Sequence, residues 1–193
     1  MVAIPRSACA QTVIGILTSV TGRVTVVRPA SPAIPLRVRE TISVGELITT
    51  GEESAAEFLP LGSAATVVRL RERTTLSVDQ TPRRTILTLV DGAVAVAGPV
   101  AWHPDRRDIF EVRTRHAVAQ SRGAAFWVEI GEPSASRVCV FTGTAVVSAL
   151  GDADGRRVPV GPRQCATVTA TDIGALEAMP ELSPAAPGSG QPK

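Results

Sequence analysis

FEVRTRHAVAQSRGAAFWVEIGEPSASRVCVFTGTAVV, residues 110–147, is the stretch whose reading decides the fold class. Side-chain character alternates along Phe110–Thr114, Ala124–Ile130 and Arg137–Phe141. A period of two places one face of an extended chain against a core and the other away from it. Arg122-Gly123 and Thr142-Gly143 punctuate these runs, where a reversing chain needs backbone freedom. Within the second run, alternation sends Phe126 and Val128 to one face and Trp127 to the other. A glycine just ahead of a strand permits positive φ or a bulge, so Arg122-Gly123 reads first as a structural device. A partner contact by Arg122 is the functional alternative. Trp127 has two readings as well. Beneath another strand layer it is core; on an open face, flanked by Arg and Glu, it anchors an interface.

The same alternation recurs outward in both directions. Arg23–Val27, Leu36–Val38, Thr66–Leu70, Thr75–Val78, Ile86–Leu89, Ala93–Ala97 and Ala166–Thr169 all carry it. Glycine and proline turns separate these runs every few residues, at Gly51, Gly62-Ser63, Gly98-Pro99, Gly131-Glu132-Pro133, Asp154-Gly155 and Gly161-Pro162. Short strands at such spacing predict an all-β protein, as a sandwich, barrel or β-solenoid. Thr21-Gly22, Asp91-Gly92 and Thr142-Gly143 each precede a small or arginine residue and a valine-rich strand. Their unequal separations exclude a strict tandem repeat. The expected architecture is therefore an irregular winding of short strands into two stacked twisted sheets. Residues 20–169 form this β domain, and residues 1–19 an N-terminal segment. Asp172 can cap a short helix over Ile173–Met179 before Pro180, within 170–182. Residues 183–193, SPAAPGSGQPK, have too little apolar surface to offset their ordering entropy and predict a disordered tail.

Composition narrows the function classes. The 193 residues are 44% hydrophobic and 20% charged with net charge +2, which fits one buried core and no strong electrostatic field. A dedicated nucleic-acid binder concentrates basic charge, and none is concentrated here. Aromatics make up 3% with no tyrosine, so Trp102 and Trp127 are nearly the whole supply of stacking faces for bases or sugars. No stretch reaches the roughly 20 apolar residues that a membrane helix needs. His103 and Asp105, with His116 further along, are the candidate acid–base or metal groups. Zinc needs three or four convergent ligands, and neither HExxH nor a Gly-x-Ser-x-Gly elbow occurs. The segment around His103 reads as a polar loop, and no catalytic residue, metal or cofactor is expected. Cys139 and Cys165 lie in neighbouring strand-like runs, either as a disulfide or as two buried thiols. Ala8-Cys9-Ala10 before Gln11 has the small-x-small form of a signal-peptidase site, although Met1–Ser7 lacks an apolar run. Export with a start placed too far downstream and a cytoplasmic chain with a chance tripeptide are the two readings.

Taken together, the Phe-x-Val-x-Thr strand at Phe110, Arg122-Gly123 before an aromatic strand, and Val138-x-Val-x-x-Gly143 resemble the signature half of a FecR-type domain. Thr21-Gly22-Arg23-Val24 resembles its opening, and Val44-Gly45-Glu46-Leu47-Ile48-Thr49-Thr50-Gly51 resembles its Gly-Asp/Glu-x-Ile-x-Thr-Gly step. Ser54–Leu61 and Leu70–Leu76 are similar to its central hairpins. The pattern departs at Thr114-Arg115, Leu61-Gly62 and Ala124, none of which breaks a β fold. The resemblance implies a non-enzymatic, extracytoplasmic module that acts by protein–protein contact in envelope signalling or sensing. Strand addition at a sheet edge is one binding mode it leaves open. A structural or glycan-associated envelope component is the second expectation. The family's full regulators add an anti-sigma region, a membrane span and a receptor-docking module, none recognisable in these residues, so a stand-alone domain is expected. Its expected location favours the periplasm. Cleavage before Gln11 would leave Cys139 and Cys165 as an even pair, and these together predict their disulfide.

Overall fold

A computed structural model describes residues 12–28, 31–62, 66–81, 84–98, 109–131 and 135–180. The described residues form strands and turns without a helix. The chain opens with β1 Val13–Thr21, β2 Val24–Val27, β3 Ile34–Pro35, β4 Thr41–Ser43, β5 Leu47–Thr50 and β6 Ala55–Pro60. Next come β7 Val67–Leu70, β8 Thr75–Thr81, β9 Arg84–Asp91, β10 Ala93–Ala97, β11 Ile109–Arg113 and β12 Ala117–Ser121. It closes with β13 Ala125–Gly131, β14 Ala135–Thr142, β15 Ala145–Ala149, β16 Arg157–Val160, β17 Gln164–Val168 and β18 Glu177–Ala178.

These strands make two nine-stranded sheets. The first runs β18-β17-β14-β13-β10-β7-β6-β1-β4, and the second β16-β15-β12-β11-β9-β8-β5-β2-β3. Strand order follows chain order in both, apart from the swaps at the β1 and β2 ends. The chain therefore passes back and forth between the sheets while advancing along one direction, which is the irregular two-sheet winding expected. Neighbours pair antiparallel except β9 with β11, which run parallel because β10 crosses to the other sheet between them. Inward side chains of the two sheets meet in one core, including Phe58, Val68, Val94, Phe126 and Val128 from the first and Ile48, Leu76, Leu87, Val112 and Val147 from the second.

Three of the glycine turns prove to be corners where the chain changes sheet. Gly22, Gly92 and Gly143 adopt φ of 68°, 80° and 79° between β1 and β2, β9 and β10, and β14 and β15. Corners leave backbone groups without a ladder partner, and buried hydroxyls supply the missing bonds. Ser54 Oγ accepts the Arg23 N–H at 2.8 Å, and Thr114 Oγ1 accepts those of His116 and Ala117 at 3.1 and 2.9 Å. Thr74, fully buried, accepts the Ala93 N–H at 3.0 Å and lies 3.1 Å from the Ala93 carbonyl as donor. Thr74→Val should cost about 1–3 kcal/mol, because the buried Ala93 N–H loses its acceptor. Thr74→Ser should restore most of that loss in equilibrium urea unfolding.

Two expected elements are corrected. Leu36–Val38 is not a strand: pairing stops at Pro35, Leu36 donates to the Val24 carbonyl at 2.9 Å, and the chain then turns through Arg39 at φ 73°. The helix over Ile173–Met179 does not form either. Ile173 bridges Val168, Gly174 donates to the Thr167 carbonyl at 2.9 Å, and β18 pairs with β17. A seven-residue segment containing Gly174 is too short to nucleate a helix alone, while the open edge of β17 offers ready partners. The tail from residue 183 and the leader cut at Ala10 lie outside the described residues.

Candidate functional site on the outer face of the first sheet

Strand register builds a continuous row across the outside of the first sheet. Glu57 pairs with Arg69, Arg69 with Ala95, Ala95 with Trp127, Trp127 with Cys139, Cys139 with Cys165, and Cys165 with Glu177. Their sequence neighbours Phe58, Val68, Val94, Val96, Phe126, Val128, Val138 and Val140 are buried in the core, so alternation sends the row outward. Ala95 is the small residue in the middle. Between the long side chains of Arg69 and Trp127 it becomes the floor of a trough of about 560 Å³, walled also by Arg71 and Phe141.

Trp127 is half-buried here, with no strand layer above it among the described residues. The Arg71 guanidinium lies over its indole, 5.2 Å from the ring centroid, in the geometry that lets a cation meet the negative face of the π system. Arg69 is tied to Glu57 at 2.7 Å, and Arg73 to Glu52 at 2.7 Å. On the far side of Trp127 lies a smaller cavity of about 110 Å³, lined by Glu129, Arg137, Cys139, Met179 and Pro180. Trp127 Nε1 and Arg137 Nε are both buried without a hydrogen-bond partner. Beside this cavity a disulfide joins Cys139 to Cys165, directly opposed on β14 and β17 with Cα atoms 4.0 Å apart. The platform under Trp127 is thereby cross-linked as well as hydrogen-bonded.

The edges offer less. The outermost strands are β3, β4, β16 and β18, of two to four residues each; Pro35 and Pro159 interrupt two of them and Pro180 follows a third closely. Short, proline-bearing edges limit the ladder that an added strand can form.

The other sequence candidates are dispersed. Arg122 is exposed, but it lines a separate depression of about 320 Å³ with Gln120, Thr144, Val146 and Arg157, away from the Trp127 trough. Gly123 has φ 123°, so the Arg122-Gly123 step uses the positive φ open to glycine, while the β13–β14 register shifts further on, between Ala125 and Phe126, leaving Phe141 as the extra residue on β14. His116 is buried, its N–H on Thr114 Oγ1 and its carbonyl accepting from Leu150 at 2.8 Å, as part of a corner. His103, Asp105 and Trp102 lie outside the described residues. Among those described, no three His, Cys, Asp or Glu side chains group as metal ligands. Sequence reading missed Arg71, Ala95 and Phe141. Only cross-strand register brings them to Trp127, and nothing local to them signals it.

Residues 46–146, just over half of the chain, match the family model described as FecR protein. No curated protein matches the chain. Among solved structures it is similar to two crystal structures of a candidate anti-sigma factor from Parabacteroides distasonis, at 21% and 20% identity and a TM-score of 0.54 for each. Each alignment covers 68% of this chain and 59% of that chain, so the chain spans well under two thirds of that protein's length. Likeness at this identity speaks to the fold.

Proposed function

Because the chain belongs to the FecR family, we propose that it is a non-enzymatic contact module of envelope signalling or sensing, working outside the cytoplasm. The outer face of the first sheet is its partner surface. The observation that carries this reading is the open Trp127–Arg71 platform beside a cross-strand disulfide. Tryptophan and arginine are the residues most often found to dominate the energy of protein interfaces. Disulfides persist in oxidising compartments, which supports a periplasmic location.

The test is site-specific photo-crosslinking of the full chain in living cells. A benzophenone side chain replaces Phe141, on the wall of the trough, or Val146, on the outer face of the second sheet. A discrete protein adduct is expected from position 141 and none from 146. In parallel, Cys139 and Cys165 should resist alkylation in intact cells and become reactive after reduction. Adducts from both positions or neither would remove the proposed surface. Freely alkylated cysteines in unreduced cells would remove the compartment.

A further inference from the structure

The hydrogen-bonding capacity left over on this face has a sign pattern that describes its ligand. Three arginines of the face have acidic partners: Arg69 holds Glu57, Arg73 holds Glu52, and Arg137 reaches Glu177 at 3.6 Å. Arg71 is different. Among the described residues no carboxylate lies within ion-pairing distance of it, and its guanidinium lies over the Trp127 ring, 5.2 Å from the centroid, instead. A guanidinium stacked on an aromatic face keeps its in-plane N–H groups free, in the fork that matches a carboxylate. The buried orphan atoms on the same face, Trp127 Nε1 and Arg137 Nε, are also donors. Arg71 is the exposed donor among them, and a ligand seated on it must bring an acceptor.

The carboxylates of the face set the second half of the pattern. Glu57 is occupied by Arg69, and Glu72 accepts the Glu53 N–H at 2.8 Å. Glu53 and Glu129 have no cationic partner among the described residues, and both are exposed. Glu129 lies on β13, two strands from Arg71 beside β7, with only β10 between them. Two interstrand spacings are roughly 10 Å, about three residues of extended chain. An acid seated on Arg71 would thus carry a base about three residues away over Glu129.

Resting on the reading of this face as a partner surface, we infer that it binds an extended segment of a partner protein in which an acidic residue, seated on the Arg71–Trp127 pair, is accompanied by a basic residue about three positions away. The trough supplies the apolar contact through Ala95 and Phe141.

A displayed library of random heptapeptides, panned on the immobilised full chain, tests this without knowledge of the natural partner. Selection on the wild type should enrich peptides holding Asp or Glu with Lys or Arg about three residues away. Arg71→Gln, a change of one exposed side chain, should weaken the enriched peptides about tenfold or more, the scale of a lost charge-assisted fork. Arg71→Lys should recover only part, because an ammonium cannot form the fork. Glu129→Gln should relax the preference for the base and leave that for the acid. Thermal melts matching the wild type exclude misfolding of the variants. No enrichment, enrichment without an acid, or binding unchanged by Arg71→Gln each overturns the inference. A crosslink at Phe141 in cells alongside any of these would leave the partner surface standing and sink only its proposed chemistry.

Discussion

Gly92→Ala is expected to destabilise the protein by about 3–5 kcal/mol, a large share of the 5–15 kcal/mol that holds a typical domain folded. Gly92 sits at a sheet-crossing corner with φ 80°. A non-glycine residue in that region costs about 1–2 kcal/mol by itself. The larger part is steric. A Cβ there would stand 2.5 Å from the Arg73 carbonyl oxygen, 2.5 Å from Thr74 Oγ1 and 2.7 Å from Thr74 Cα. Those atoms cannot retreat cheaply, since Thr74 is fully buried, bonds both polar groups of Ala93, and donates its N–H to Thr50 Oγ1 at 2.9 Å. Separating the corners breaks bonds worth about 1 kcal/mol each. Gly45 is the control. Its φ is 77°, yet a Cβ would meet nothing within 4 Å. Gly45→Ala should therefore cost only about 1–2 kcal/mol, the backbone part alone. Equal losses for the two variants in urea unfolding would show that the packed corner contributes nothing.

The second large effect concerns the Cys139–Cys165 bond. Replacing both cysteines by serine should lower stability by about 3.5 kcal/mol on the chain-entropy model for a loop of this length; the two residues are 26 apart in sequence. Reduction of the wild type should move its urea midpoint to that of the double variant. The variant's own midpoint should ignore the reductant. Because the bond closes β14 onto β17 next to Trp127, its loss should also loosen the smaller cavity, read as increased quenching of Trp127 fluorescence in a Trp102→Phe background. A wild-type midpoint indifferent to reductant would mean that the bond carries no stability.

Legibility followed the strength of local alternation. Strands with valines and aromatics facing the core, such as β10 and β13, were readable because period two dominates them. β1 was not. Its register shifts beside Gly15 against β4 and again between Leu17 and Ser19 against β6, so buried Ile14 and Leu17 fall out of step. β12, whose buried positions are only Ala117, Ala119 and Ser121, and β16, interrupted by Pro159, carry too weak a pattern. The C-terminal segment carries helix-capping residues that are visible locally, whereas the edge of β17 that it pairs with instead is not.

Within the candidate site, Trp127 and its outward direction followed from alternation alone. The sequence by itself determined an all-β chain, its aromatic strand, its glycine corners and its family resemblance, because each depends on residues adjacent along the backbone. Only the tertiary structure decided that Arg71 caps Trp127, that Ala95 is a floor, that Arg122 lines a separate depression, and that the described edge strands are short. Each of these depends on register between strands brought together from distant parts of the chain. A shift of one residue reverses the face of every side chain, and that choice belongs to the packed core as a whole.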